Sequence, residues 1–200
     1  MGRNIFILIF ILFSCVSLAQ TQKGKFLVEG GSNLEGVLSN ESYDNGTGPQ
    51  KTNNSQLVLQ MGLGYFILKN FVIGEGSTWS FYTTKDNSTG DKTKSTNISV
   101  GPLLRYYVGQ SKVKPLVQAN IAWLSSNIAY ISAGLNSTTK SSGILYSGGI
   151  GVAYFLNDYV SFNGIVGYSN SSQTTTDNNN NKTKQTVGGF NININVTVCF

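Results

Sequence analysis

The last eleven residues of the chain alternate strictly between apolar and polar side chains. The apolar set is Phe190, Ile192, Ile194, Val196, Val198 and Phe200, and the set between them is Asn191, Asn193, Asn195, Thr197 and Cys199. A period of two predicts a β-strand with one apolar face and one polar face. Ten steps at about 3.3 Å and a tilt near 45° rise roughly 23 Å, close to the apolar height of about 25 Å on a membrane β-barrel.

The same alternation recurs along the chain. It is found at 57–65, 97–106, 117–123, 144–154 and 160–168, and strands near 25–36 and 71–83 bring the predicted number to eight. The face opposite the apolar one carries many small residues, such as Gly62, Gly64, Gly149 and Gly151. Small inward residues suit an eight-stranded barrel, whose interior holds only packed side chains.

The predicted connections are long and short in turn. Segments 39–54, 85–95, 127–142 and 171–184 are rich in Asn, Ser, Thr and Gly, whereas 68–70, 109–114 and 157–158 are short. This order predicts an all-β fold, an eight-stranded antiparallel up-and-down transmembrane β-barrel, with four long loops at one end. Segment 174–181 has almost nothing to bury, and we expect it to be mobile.

Aromatic residues fall at two heights along these strands. The set near the short turns is Tyr65, Phe71, Tyr106, Tyr154, Tyr159 and Phe200, and the set toward the long connections is Trp79, Phe81, Trp123 and Tyr168. Two belts are expected for rings at the two surfaces of a bilayer. The alternative is that they are core aromatics of a soluble sheet.

The N-terminal segment is typical of a signal peptide. Arg3 precedes an apolar stretch at 5–13, and small residues end the segment at Ala19, so we predict cleavage after Ala19. The domains are then a signal peptide at 1–19 and a barrel at 20–200. Two alternatives are a transmembrane anchor, for which nine strongly apolar residues are too few, and lipid acylation at Cys15. Removal of Cys15 leaves Cys199 as the single thiol, so no internal disulfide is expected.

Composition excludes several classes of function. Of the 200 residues only 12% are charged and none is His, which removes the commonest general base and metal ligand. The net charge of +5 is spread without a dense basic run, so no nucleic-acid partner is indicated. We predict no enzyme activity, no cofactor and no metal site.

Three charged residues are candidates for a site in the lumen. Strand parity directs Glu29 and Arg105 inward, where unpaired charges are costly, so we predict that they belong to one structural ion network. Glu75 would face lipid by simple alternation, but Gly74 and Gly76 flank it, and a bulge there would turn it inward. If the connection at 85–95 is symmetric about Gly90, Glu75 lies opposite Arg105 on the adjacent strand. The alternative for this network is a proton or ion relay. Cys199 is expected to be a small inward residue.

Two hairpins carry a family resemblance. The segment GYFILKNFVIG at 64–74, with a weaker echo in GVAYFLNDYV at 151–160, resembles hairpins of small outer-membrane β-barrel domain proteins of Gram-negative bacteria, especially of the Bacteroidetes type. These proteins are similar to OmpA- and OmpX-type barrels. The terminal Phe200 resembles the signal by which the barrel-assembly machinery recognises its clients. The family includes adhesins and envelope-stabilising proteins, so the resemblance implies an architecture and leaves the role open.

These observations predict an exported, monomeric bacterial outer-membrane barrel with a plugged lumen and a structural or surface-interaction role through its long loops. The implied partners are outer-membrane lipid and lipopolysaccharide, the barrel-assembly machinery, and surface or host ligands of the loops. The alternatives are a narrow channel or transporter for small solutes, a lipid-modifying barrel enzyme, and a soluble secreted β-sandwich binding module.

Overall fold

The computed structural model describes residues 21–33, 39–44, 49–87, 89–132, 135–176 and 182–200. The predicted signal peptide at 1–19 lies outside them. The strands are β1 (Phe26–Asn33), β2 (Ser39–Asp44), β3 (Pro49–Leu68), β4 (Phe71–Asp86), β5 (Lys92–Tyr107), β6 (Val113–Ser132), β7 (Leu135–Phe155), β8 (Val160–Thr176) and β9 (Lys182–Cys199). Within these ranges no helix is long and apolar enough to cross a bilayer.

The strands form one antiparallel sheet that closes on itself. Each strand from β3 to β8 pairs with the next along the chain, and β1 pairs with both β9 and β3. β2 pairs with β3 farther along the same edge, so β1 and β2 share one position in the ring. Eight positions result, and the predicted fold class is confirmed.

Side chains alternate between the outside and the lumen along every strand of the ring. On β9, Ile192, Ile194 and Val196 are exposed on the outer face, whereas Asn195 and Thr197 are buried inside. The alternation predicted from the last eleven residues therefore matches the two faces of the wall. The outer face is apolar over most of its height. Most of the aromatic residues predicted for the two belts lie on it, and the rings of Phe71 and Tyr106 are in contact.

The two ends of the barrel differ. At one end, here called the turn end, the short turns at residues 69–70, 108–112 and 156–159 join the strands. Asn70 has a left-handed backbone with a φ of 67°, which Asn tolerates better than most residues. In another turn, Asn157 Oδ1 accepts hydrogen bonds from the backbone N–H groups of Tyr159 and Val160. The predicted short connections are confirmed within a few residues.

The opposite end, here called the loop end, corrects the prediction of four long loops. Most of segments 39–54, 85–95, 127–142 and 171–184 is paired strand: β6 ends at Ser132 and β7 begins at Leu135, and their pairing continues to that point. The reason is that Thr and Ser support strand structure, and adjacent polar strands can satisfy each other's backbone without burying apolar surface. In segment 174–181, residues 174–176 belong to β8 and the rest lies outside the described residues.

Apolar side chains fill the lumen near the turn end. This inner core consists of Leu27, Phe66, Val72, Tyr107, Leu116, Ala153, Phe155, Ile165 and Cys199. The ring of Tyr107 packs against those of Phe66 and Phe155, with centroids 6.0 and 6.1 Å apart. Because the three rings come from β5, β3 and β7, the core ties together opposite sides of the wall.

Candidate functional site in the barrel lumen

A bidentate ion pair crosses the lumen directly above the inner core. Arg105 Nη1 donates to Glu29 Oε2 at 2.5 Å, and Nη2 donates to Glu29 Oε1 at 2.8 Å. The side chains come from β5 and β1, and only 1% of Arg105 and 8% of Glu29 is exposed. Of the residues predicted for the lumen network, the structure thus joins Glu29 and Arg105.

Every N–H of the Arg105 guanidinium has an acceptor. Besides the bonds to Glu29, Nε donates to Gln118 Oε1 at 2.8 Å, Nη2 donates to the same oxygen, and Nη1 donates to Tyr107 Oη at 3.2 Å. A guanidinium has five N–H donors, and all five are used. Full satisfaction is the condition under which a buried charge is tolerated.

The Glu29 carboxylate also accepts several hydrogen bonds besides those from Arg105. It accepts hydrogen bonds from Thr197 Oγ1 at 2.7 Å, Asn163 Nδ2 at 3.0 Å and Asn195 Nδ2 at 3.1 Å. Asn163 Nδ2 also donates to Thr197 Oγ1. These three residues belong to β8 and β9, so the network connects strands around much of the ring.

Sequence reasoning missed the neutral members of this network. The register of adjacent strands would have identified them, because Thr197 is the β9 partner of Glu29 and Gln118 is the β6 partner of Arg105. Two residues along β5 from Arg105, Tyr107 shares its inward face. Once adjacent strands are aligned, these polar residues stand beside the two charges.

The prediction for Glu75 is wrong. Val72 is the β4 partner of Arg105, whereas Glu75 pairs with Pro102 on β5 and Leu63 on β3. The β4–β5 register runs through this region without a bulge, so Glu75 stays on the outer face with Ile73. The neighbouring glycine has another explanation: a Cβ at Gly74 would lie 2.1 Å from the Leu63 carbonyl oxygen, because β3 and β4 approach closely there.

The segment before β1 packs beneath the inner core. The Thr21 hydroxyl donates to Asn70 Oδ1 and accepts a hydrogen bond from Lys114 Nζ at 2.7 Å, and the Asn70 backbone N–H donates to the Thr21 carbonyl at 2.8 Å. Asn70 Nδ2 also donates to the Gly109 carbonyl at 3.2 Å. This polar cluster joins the N-terminal segment to two of the turns.

A polar cavity of about 390 Å³ lies on the opposite side of the ion pair, toward the loop end. Glu29 and Gln118 are at its base, and its wall is mostly amide and hydroxyl side chains, including Gln60, Asn120, Asn191 and Asn193. Gln60 Nε2 donates to Asn193 Oδ1 at 3.1 Å, so the lining residues also bond to one another. This volume is sufficient for water or a small polar solute.

In the described part of the chain, no three residues of the Cys, His, Asp and Glu types cluster as metal ligands would. Cys199, the thiol considered in the sequence, is buried in the inner core. It is the small inward residue expected from strand parity.

Solved structures similar to this chain include two outer membrane proteins of bacteria. A major outer membrane protein from Thermus thermophilus aligns over 88% of this chain and 99% of its own, with 13% identity and a TM-score of 0.56. OprG, an outer membrane protein from Pseudomonas aeruginosa, aligns over 92% and 99%, with 18% identity and a TM-score of 0.55. At such identities the likeness concerns the fold alone.

No family model matches the chain. No curated protein sequence matches it significantly either. Membership of the Bacteroidetes-type family therefore stays a prediction from the two hairpins. What the closed antiparallel ring and the two structural matches establish together is that the chain has the fold of an eight-stranded outer-membrane β-barrel.

Proposed function

We propose that the protein spans the bacterial outer membrane as a barrel closed to solutes, with a structural or surface-interaction role carried by its loop end. The turn end would face the periplasm and the loop end the exterior. The observation that carries this proposal is the layering of the lumen, in which a saturated buried ion pair lies on a packed apolar core.

The outer face of the wall supports a membrane location. Large apolar residues are exposed there on strands all round the ring, including Leu63, Val117, Ile150, Val166 and Ile194. A soluble protein rarely exposes a contiguous apolar patch of more than a few hundred Å². Lipid around the barrel would remove this surface from water, and a soluble β-sandwich would bury it between two sheets instead.

The lumen supports closure. Tyr107, Phe66 and Phe155 are fully buried in the inner core, and Arg105 lies across the lumen immediately above them. A hydrated solute would have to displace these rings and break a network in which the guanidinium has no free donor. Interactions with surfaces, envelope components or host molecules would then depend on the extended hairpins at the loop end.

The second candidate is a narrow solute path, and the polar cavity is the observation that favours it. Its lining of amides and hydroxyls would accept small polar solutes from the loop end. Passage would still require the ion pair and the inner core to open. A lipid-modifying enzyme has less support, because the sequence has no His and the thiol of Cys199 is buried in the inner core.

Two measurements on the full chain test the proposal. Cell fractionation is expected to place the protein in the outer membrane, and planar bilayers containing the purified protein are expected to show no discrete single-channel openings. Arg105→Ala and Glu29→Gln serve as comparison variants that weaken the closing layer. Steady openings of the wild-type protein would favour the solute path, and recovery from the soluble fraction would contradict the membrane location.

A further inference from the structure

The β4–β5 hairpin carries an outward-facing group of lysines above the aromatic residues of the loop end. Lys85 on β4 follows Trp79 and Phe81 at even spacing, so it shares their outward face. Lys92 and Lys94 on β5 share the outward face of Val100 by the same spacing. The lysine patch is defined here as Lys85, Lys92 and Lys94.

Strand register brings the three lysines together. Lys85 pairs directly with Lys92, and Lys94 pairs with Thr83, which places it diagonally from Lys85. Directly opposed residues have Cβ atoms about 5 Å apart and diagonal ones about 7–8 Å apart, and like charges in such positions are destabilising. An anion bound to the three ammonium groups would reduce this repulsion.

The nearest carboxylates on this hairpin do not belong to the patch. Asp86 follows Lys85 directly and so points to the opposite face, and its Oδ1 accepts a hydrogen bond from the Thr89 N–H in the turn. Asp91 lies in the turn just before β5, and its side chain hydrogen-bonds with Ser132. The turn is closed by backbone bonds between Asp86 and Asp91 and between Gly90 and Asp86.

The height of the patch fits the headgroup layer of a membrane. Lys94 lies two register pairs above Phe81 and Lys85 lies four above it, which is about 5 and 9 Å at a strand tilt near 45°. Phe81 and Trp79 are exposed on the apolar wall at the position expected of an interfacial belt. The headgroup region adds roughly 5–8 Å beyond the hydrocarbon on each side.

We infer that the lysine patch binds the phosphate groups of a phosphorylated glycolipid of the outer leaflet, of the lipid A type, with its acyl chains lying on the apolar wall below. This inference rests on the proposed membrane location and deepens it by assigning a lipid site to one hairpin. The occupant follows from three joined features: positive charge, headgroup height, and continuity with a lipid-facing surface. A soluble acidic protein would match the charge alone.

The test uses the full chain, purified in neutral detergent and mixed with bisphosphorylated lipid A, and counts the lipid retained by native mass spectrometry. The variants are Lys85→Gln/Lys92→Gln/Lys94→Gln and, as a matched control, Lys140→Gln. Lys140 is exposed at the same end on β7, where its register partner is Asn127. One basic residue near an anionic surface contributes roughly a fivefold effect, so we expect the triple variant to lose at least tenfold in apparent affinity and the control to match the wild type.

Three results would overturn the inference: equal retention by the triple variant, an equal loss in the Lys140 control, or equal retention of a lipid A lacking both phosphates. A gel-shift measurement of folded barrel on every sample separates this site from the proposed function. Folded barrels that retain no lipid A would overturn the lipid site and leave the membrane barrel standing. A wild-type protein that stays folded and soluble without detergent would contradict both.

Discussion

Glu29 and Arg105 lie on strands that are not neighbours in the ring, and two hydrogen bonds of 2.5 and 2.8 Å join their side chains across the lumen. Backbone pairing cannot link β1 to β5 directly, so this contact resists deformation of the ring in a way that the wall alone does not. The surrounding Thr197, Asn163 and Gln118 extend the same restraint to β9, β8 and β6.

Removal of both partners of the ion pair should cost less stability than the sum of the two single removals. Arg105→Ala leaves the Glu29 carboxylate buried without its cation, and we expect the free energy of unfolding to fall by about 3–5 kcal/mol. Glu29→Gln/Arg105→Met removes both charges and should cost less than the sum of Glu29→Gln and Arg105→Met. Urea unfolding in lipid vesicles, followed by gel shift, measures the free energy of unfolding of each single and double variant. If the effects of the two single variants add up to that of the double variant, the two side chains are not coupled.

Adjacent glycines on β1 offer a matched pair of substitutions. A Cβ at Gly31 would lie 2.0 Å from Asn195 Oδ1 and 2.6 Å from the Ile194 carbonyl oxygen, whereas a Cβ at Gly30 meets nothing within 4 Å. We expect Gly31→Ala to lower the free energy of unfolding by about 1–3 kcal/mol through overpacking. Gly30→Ala should leave it unchanged or raise it slightly. The same unfolding assay compares the two variants, and equal effects would contradict the close approach of β9 to Gly31.

The outward position of Glu75 leads to a prediction opposite in sign to that for Glu29. Glu75→Leu removes an ionisable group from the lipid-facing wall, and we expect a gain of about 1 kcal/mol, since acidic residues cost less there than Arg or Lys. Glu29→Leu should be strongly destabilising, because it leaves the buried Arg105 unpaired. A loss of stability in Glu75→Leu would instead favour an inward role for that carboxylate.

The three charged residues show which side-chain positions the sequence alone can predict. Alternation places Glu29 and Arg105 on the inner face because their strands keep a regular period of two. It would also have placed Glu75 correctly, but the flanking glycines suggested a bulge, whereas Gly74 serves a close approach between β3 and β4. Distinguishing these two uses of glycine requires the register of adjacent strands.

The sequence did not predict the polar partners of Arg105 or the strand structure of the loop end, because both depend on how adjacent strands align. Gln118 meets Arg105 because β5 and β6 align at those residues, a pairing that no pattern within either strand specifies. At the loop end, the Ser- and Thr-rich segments lack apolar periodicity and so indicate loops, yet strands such as β6 and β7 pair through them to Ser132 and Leu135. Backbone hydrogen bonding, which continues from the wall below, determines their structure.

The turn at Asn70 should be sensitive to both backbone and side chain. Its φ of 67° disfavours residues other than Gly and Asn, and its side chain bonds to Thr21 and Gly109. We expect Asn70→Ala to lower the free energy of unfolding by about 2 kcal/mol and Asn70→Gly by less. Thr21→Val leaves the backbone of the turn unaltered and removes the hydroxyl that bonds to both Asn70 and Lys114, so we expect it also to lower the free energy of unfolding. The midpoints of thermal unfolding, followed by gel shift, rank the three variants. A lower midpoint for Asn70→Gly than for Asn70→Ala would contradict the backbone contribution.

The alternation on β9 allows the most direct measurement of the barrel in lipid. Single cysteines at residues 191–196, in a Cys199→Ser background and carrying nitroxide labels, report collision with oxygen from the lipid phase in reconstituted vesicles. We expect high oxygen accessibility at Ile192, Ile194 and Val196 and low accessibility at Asn191, Asn193 and Asn195, because the first set faces outward and the second lines the lumen. Accessibility that does not alternate, or outward positions that collide mainly with a water-soluble nickel reagent, would contradict a barrel surrounded by lipid.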